Sequence, residues 1–402
     1  MRKSGMPKDS GKVRRVLHLM SGYGGGISSF IKNKAEEMPR YGIAFDVTTY
    51  DECPADFQAA IEATGGKLYP LRNPKKEGFK AFEESLNQAL DHNDYDAFYC
   101  HINGYRALPY YYLCRRRSQA PFYIHAHNSL DNQVPSLKNR AQQSLSQGLN
   151  RRLSACPLGC GKRAIWGIFG PAIDLDEMMI IPNSIHTDRY LRSNAWIDQQ
   201  KAQLRKEYAY PADTLLIGHI GRLTAVKNHE KSLAIAQAIK DQGCNAKLLI
   251  IGAGERDQEL KEAVRKQGLE EVVDFTGRIN PISEFYPLLD AVLLPSYSEG
   301  LPTVVVEAQA LGIPVLMSDR VTDEVDLGLD LVSALPLSAG AEDWLGEICQ
   351  LAAQDRPNLC EREQAVEAKA FSNEASAQLF VDFLAGRRQH FNFEGGQSSG
   401  HL

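Results

Sequence analysis

The sequence predicts an α/β protein of two doubly wound, Rossmann-like domains facing across a cleft. Three observations predict it. The chain has 402 residues, too long for one ordinary core and suited to about two domains of 150–200 residues. Apolar, β-rich runs alternate with helix-length amphipathic stretches, the pattern of parallel sheets covered on both faces. The sharpest polar residues stand just after those runs, where the carboxyl ends of parallel strands gather ligands.

The first series of elements opens with "RVLHLM" at residues 15–20, a strand, followed by the turn "SGYGGG" and a helix from Ile27 to Tyr41. The strands "AFDVTTY", "DAFYCHI" (96–102) and "FYIHAHN" (122–128) follow, and "MMIIPNSI" (178–185) closes the series. The second opens at "TLLIGHIGRL" (214–223) and continues through "AKLLIIGAG", "VVDFTGRI", "AVLLPS" and "IPVLMSD". Helices over His229–Gln242, Arg256–Gln267 and Pro302–Leu311 fill the gaps. Right-handed crossovers turn each series into a doubly wound sheet. The first domain is read as residues 1–190, with 1–13 flexible, and the second as 191–372. The polar stretch "RYLRSNAWIDQQKAQ" is the expected linker, and the tail, 391–402, reads as disordered.

Composition narrows the class. The chain is 43% hydrophobic and 24% charged, normal for a globular protein. No apolar run reaches the ~18 residues of a membrane span, and the basic start "MRKSGMPKDSGKVRR" lacks a signal-peptide core. These predict a cytoplasmic location. A net charge of −5 gives no sign of a nucleic-acid partner. Basic residues cluster at Arg115–Arg117, at Arg151 and Arg152, and at the N-terminus. They read as solvated surface, or as a face drawn to an anionic membrane, which would place the protein peripherally at the inner membrane face. The eight cysteines read as free thiols. Cys156 and Cys160 have no second pair or histidine at zinc spacing.

The polar residues after strands carry the chemistry. In "GRLTAVKNHE", Arg222 follows a strand and Lys227 stands at the entry to a helix, where a cation pair and a helix N-terminus suit a diphosphate. In "SEGLPTVVVEAQALG", Glu299 and Glu307 would lie ~26 Å apart on one strand. Pro302, at a helix start, and Gly312, at its stop, recast the run as loop and crossover helix. Glu299 then lies before the helix and Glu307 about one turn inside it. Both can accept from vicinal diols of one elongated ligand.

In the first domain, "SGYGGGISSF" is a glycine-rich turn that allows close approach of a ligand. It is a poor dinucleotide fingerprint, because Ile27 stands where a third glycine is required. His125 and His127 alternate onto one face at a strand end. With no third metal ligand nearby, His127 is the candidate polar group of a site, a packed histidine being the plainer reading. Asp174 and Asp176 resemble a metal-holding pair, but precede a strand and read as a polar turn.

Together these segments resemble glycosyltransferase family 4, the retaining enzymes of GT-B fold in bacterial exopolysaccharide and capsule assembly. The markers are "GGGISSF", "HAHN", "IPNSI", "GRLTAVKN", "LLIIGAGE", "FTGRI" and "PSYSEGLPTVVVEAQALGIPV", spanning about residues 15–385. The resemblance implies transfer of a sugar from a nucleotide sugar, a UDP-sugar for choice, to a glycan or lipid-linked acceptor, with retention and no metal or other cofactor. Arg222 and Lys227 would bind the donor diphosphate, Glu299 the sugar near the reacting carbon, and Glu307 the ribose. Gly24, Gly25 and Gly26 would approach the diphosphate and acceptor, His127 would contact the donor sugar, and Arg278 and Ile279 would line the base pocket. Asn183, Gly300, Leu301, Pro302 and Thr303 complete the donor-binding set. A C-terminal helix, 373–390, would cross back to the first domain. Two departures stand out: "PNS" with Ser184 replaces the usual "PNG", and "ACPLGCGKRAIWG" replaces the usual "ACS" segment.

Other readings stay open at this level. A GT-B nucleotide-sugar epimerase or hydrolase would need no acceptor. A dinucleotide-dependent oxidoreductase conflicts with the missing glycine, and a sugar-nucleotide binder without catalysis conflicts with the filled motif positions.

Overall fold

The computed structural model describes residues 14–128 and 137–387. The expectations for residues 1–13 and 391–402, and for 388–390 of the return helix, lie outside the described residues. The chain divides into two units, one running to Ser184 and resuming at Ala370, the other running from Ile185 to Lys369.

The first unit is built on seven parallel strands: β1 (Arg14–Leu19), β2 (Ile43–Thr49), β3 (Leu68–Pro70), β4 (Ala97–Cys100), β5 (Phe122–Ala126), β6 (Leu158–Gly159) and β7 (Met179–Ile180). Their order is β3-β2-β1-β4-β5-β6-β7. Every residue of β2 and β4 is buried, because helices cover both faces of a parallel sheet. The winding reverses between β1 and β4, which makes their tips the topological switch point. The core joins Phe30, Phe45 and Tyr99 to Ala377, Phe380 and Phe383 of the helix Asn373–Leu384. That helix is pinned by Ser376 Oγ donating to the Pro182 carbonyl at 2.7 Å, by Tyr41 Oη donating to Gln378 at 3.1 Å, and by an Arg40–Glu374 ion pair.

The second unit has six parallel strands: β8 (Leu215–Ile220), β9 (Ala246–Ile251), β10 (Val273–Gly277), β11 (Ala291–Leu294), β12 (Val315–Ser318) and β13 (Val332–Leu335). Their order is β10-β9-β8-β11-β12-β13, with the switch point between β8 and β11. Leu248, Ile250, Leu293 and the fully buried Trp344 anchor its core.

Three sequence expectations shift. The break expected at 190/191 falls at Ser184/Ile185. Asn33 Nδ2 holds the Ser184 carbonyl at 2.7 Å in the first unit, whereas Tyr190 packs edge-on against Tyr286 in the second. The expected linker is instead a helix, Asn194–Glu207, capped by Ser193. Its Lys201 and Arg205, one turn apart, both reach Asp290, Arg205 at 2.7 Å. The first helix spans Gly25–Ala35, and Met38–Tyr41 forms a separate 3-10 turn around Pro39.

Among the described residues no helix is long and apolar enough to cross a membrane. Of the clustered arginines, Arg116 pairs with Glu83 at 3.4 Å and Arg117 with Asp91 at 2.5 Å, and Arg115 donates to two backbone carbonyls. Arg151 and Arg152 are exposed.

Candidate active site

In the second unit two loops meet at the switch point. The loop after β8 continues in register with that after β9: Gly221 N donates to the Ile251 carbonyl at 3.0 Å, and Leu223 N to the Ala253 carbonyl at 3.1 Å. Only glycine fits at two points of this zipper. A Cβ on Gly252 (φ +150°) would stand 1.8 Å from the Gly221 carbonyl oxygen, and one on Gly254 2.4 Å from that of Leu223. Leu223 is buried, so its neighbour Arg222 is turned outward and exposed. Among the described residues no carboxylate pairs with Arg222.

The same loop is stitched to the one after β11. Tyr297 N donates to the Val226 carbonyl at 2.9 Å, and Asn228 Nδ2 to the Pro295 carbonyl at 3.0 Å. Asn228, left-handed (φ 54°), separates this turn from the next helix. Lys227 Nζ lies 2.7 Å from Glu299 Oε1, with each side chain 14% exposed. The lysine stem crosses Gly221, where a Cβ would meet Cε at 3.0 Å. A cation–carboxylate pair thus stands immediately before the helix His229–Asp241, whose amide N–H groups favour anions.

Glu307 lies in the helix Thr303–Ala310, with Pro302 at its cap. Val305 and Val306 are fully buried; the β-branched run is a packing face. The Tyr286 hydroxyl donates to Glu307 Oε2 at 2.9 Å, and the hydroxyls of Thr303 and Tyr190 also bond this carboxylate. Burial raises its pKa, and the three hydroxyls oppose that shift. Three of about four acceptor positions are occupied, leaving room for about one further donor. Tyr286 and Tyr190 were not visible as site residues in the sequence. Tyr190 stands in the stretch read as a linker, and no spacing rule joins either to Glu307.

In the first unit, Gly24 (φ 120°) and Gly25 (φ 66°) bend the chain into the helix that starts at Gly25. Gly25 and Gly26 are exposed at its N-terminus. Asn183 comes beside Gly26, its Nδ2 3.9 Å from where a Cβ would stand. Asp51 Oδ2 accepts from Tyr23 N at 2.9 Å and anchors the turn.

His125 and His127 do share one face, their rings stacked 4.3 Å apart at 11°. His125 Nδ1 is 2.8 Å from the Tyr99 hydroxyl. His127 instead meets His101, Nε2 to Nδ1 at 2.7 Å, and His101 Nε2 meets His18 Nδ1 at 3.0 Å. His18 and His101 are adjacent-strand partners that sequence spacing could not pair. Burial, then the nearby Lys34 ammonium, holds His127 down to about 3. Lys34 is fully buried, which lowers its own pKa to about 7, and donates to the Pro182 carbonyl and Ser184 Oγ, both at 3.3 Å.

Two expected groups stand apart from these. Arg278 is exposed beyond β10. Ile279 lines a cavity of about 620 Å³ with Tyr208, Tyr210, Lys247, Asp274 and Phe275, and neither Lys227, Glu299 nor Glu307 lines it. Asp174 and Asp176 are exposed around a short 3-10 turn before β7.

Residues 200–326 match the family model described as glycosyl transferases group 1. The chain is 30% identical over 376 residues to a Bacillus subtilis (strain 168) protein named as a glycosyltransferase, EpsF, covering 92% of this chain and 93% of the relative. It is 26% identical over 241 residues to the O-antigen biosynthesis glycosyltransferase WclY of Escherichia coli, covering 55% and 65%. The structure of HepE from Anabaena in complex with UDP-glucose is similar at a TM-score of 0.70 and 18% identity, over 92% of this chain and 99% of that one. Its two Rossmann-like units are those of GT-B glycosyltransferases, and the chain belongs to the group 1 glycosyl transferases.

Proposed function

We propose that this protein is a family 4, retaining glycosyltransferase that moves a sugar from a UDP-sugar to a glycan or lipid-linked glycan in surface polysaccharide synthesis. The observation that carries the reading is the Lys227–Glu299 pair, 2.7 Å apart at a switch point and ahead of a helix N-terminus. The O-antigen biosynthesis named for WclY and the UDP-glucose bound by HepE support this choice of substrates.

In this reading Glu299 holds Lys227 in place until the donor arrives. The diphosphate then takes over the ammonium, and Arg222 supplies the second cation. With the helix N-terminus, they offset the charge that grows on the departing nucleoside diphosphate. Glu299, released from Lys227, faces the donor sugar, and Glu307 bonds the ribose with its remaining acceptor position. His127, Asn183 and the glycine turn Gly24, Gly25 and Gly26, of which Gly25 and Gly26 are exposed, serve the substrate from the first unit. Gly300, Leu301, Pro302 and Thr303 shape the helix entry, and Arg278 and Ile279 border the base. No metal is required, because the cations are side chains. The membrane contact rests on Arg151 and Arg152, since Arg116 and Arg117 are neutralised within the unit.

The test is incubation with a panel of nucleotide sugars, with and without acceptors and with and without EDTA. Release of UDP that requires acceptor and ignores EDTA supports the reading. Epimerised or hydrolysed donor without acceptor supports the epimerase or hydrolase alternative.

A further inference from the structure

The fully buried Arg362 stands in the helix Leu359–Ala368 of the second unit. Burial, then the nearby Arg356, lowers its pKa to about 10, which leaves it charged at neutral pH. A buried charge is costly unless it is paired. Among the described residues, none of the hydrogen-bond partners of Arg362 is a carboxylate. Nε donates to the Pro357 carbonyl at 3.1 Å, and Nη1 to the Ala310 carbonyl at 2.5 Å. Nη2 donates to the Arg192 carbonyl at 2.8 Å and to Asn194 Oδ1 at 2.7 Å.

Two of these partners belong to the segments that build the Glu307 site. Ala310 closes the helix Thr303–Ala310, and its carbonyl is one of those a helix end leaves unpaired. The guanidinium there meets the negative end of the helix dipole. Glu307 lies three residues earlier on the same helix. Arg192 leads into the helix Asn194–Glu207, and Tyr190, two residues before Arg192, bonds the Glu307 carboxylate. The two segments are thus joined twice, once through Tyr190 and Glu307 and once through Arg362. A planar fork of three nitrogens can reach three stretches of chain, here at Pro357, Ala310 and Arg192–Asn194; the single ammonium of lysine cannot.

This clasp bears on the direction in which Glu307 can still accept. Three hydroxyls take three of its about four acceptor positions. Which position stays open depends on where Tyr190 stands relative to the helix, and Arg362 holds both.

We infer that Arg362 is a positioning residue for the nucleotide: by clasping the Glu307 helix to the Tyr190 segment, it aims the open acceptor position of Glu307 at the ribose hydroxyls. The inference rests on the assignment of Glu307 to the ribose made above. Arg362, being fully buried, acts only through Glu307 and Tyr190.

Calorimetric titration of the full chain with UDP, and with the UDP analogue lacking both ribose hydroxyls, tests it. The wild-type protein should bind UDP about tenfold or more tighter than the analogue, the usual worth of a hydrogen bond to a charged group. Arg362→Lys keeps the charge and loses the clasp. It should weaken UDP about fivefold or more and leave the analogue within about twofold, so that the preference for the hydroxyls shrinks. Asn194→Ala removes one acceptor, leaves the arginine in place, and should shrink the preference about twofold, which keeps the test open should Arg362→Lys not fold. In a Glu307→Gln background, Arg362→Lys should change UDP affinity less than about twofold, because both act on one contact. A folded Arg362→Lys protein that keeps the wild-type preference, or that loses UDP and analogue in equal proportion as a merely structural residue would, overturns the inference. So does an Asn194→Ala protein with the full preference. A wild-type protein that binds both ligands equally removes Glu307 from the ribose, and the inference falls with that assignment.

Discussion

At the scale of single residues, the two glutamates of "SEGLPTVVVE" have different jobs because they have different neighbours. Glu299 is paired with a cation, Lys227; Glu307, on a helix, is held by three hydroxyls. Glu299→Ala should therefore lower transfer about 100-fold or more, the usual loss for a group aimed at developing charge. UDP affinity should stay within about threefold, because Lys227 remains available to phosphate; calorimetric titration with UDP separates the two effects, and undiminished turnover would sink the assignment. Glu307→Gln should behave in the opposite way. It swaps a charged acceptor for a neutral one, weakening UDP binding by about tenfold to a hundredfold, with a smaller loss of kcat at saturating donor. An unchanged Kd would remove Glu307 from the nucleotide site.

At the scale of elements, the loops that carry Arg222, Lys227 and Glu299 are joined by backbone zippers. Gly252→Ala would drive a Cβ to 1.8 Å from the Gly221 carbonyl and should cost on the order of 3 kcal/mol by overpacking and strain. Urea unfolding measures this, and a loss under about 0.5 kcal/mol would contradict the zipper's role. How far the sequence showed the site follows the same division. The crossover helix was legible because Pro302 and Gly312 punctuate it, and Lys227 because it directly precedes a helix start. The 2.7 Å approach of Lys227 to Glu299 was not, since it depends on Asn228 and Tyr297 joining loops from different strands. The histidine chain was half legible: alternation put His125 and His127 on one face, but only strand order brings His18 and His101 to them. Strand β6, two residues long, is too short for any periodicity to reveal, whereas β7 falls inside the apolar run 178–185 read as a strand, and the helix at 194–207 was mistaken for a linker because its exposed face is polar.

At the scale of the whole molecule, the first unit should be acid-sensitive. Burial holds His18 and His127 at about 3 and pushes His101 and His125 well below the ordinary 6.5. The unfolded chain therefore binds more protons between pH 6.5 and 3, and stability is lost as pH falls through that window. At pH 5 the loss is about 2 kcal/mol for each such ring. Thermal unfolding of the full chain followed by circular dichroism should show melting temperature dropping steeply from pH 7 to pH 5; a flat profile would contradict the neutral chain. One unit carries a cation–carboxylate pair and the other a neutral, hydrogen-bonding histidine chain. The most direct test is UDP release from a panel of UDP-sugars, measured with and without glycan or lipid-linked acceptors. The account predicts release that depends on acceptor and is abolished in Glu299→Ala. Release at the same rate without acceptor, or turnover that survives Glu299→Ala, would contradict it.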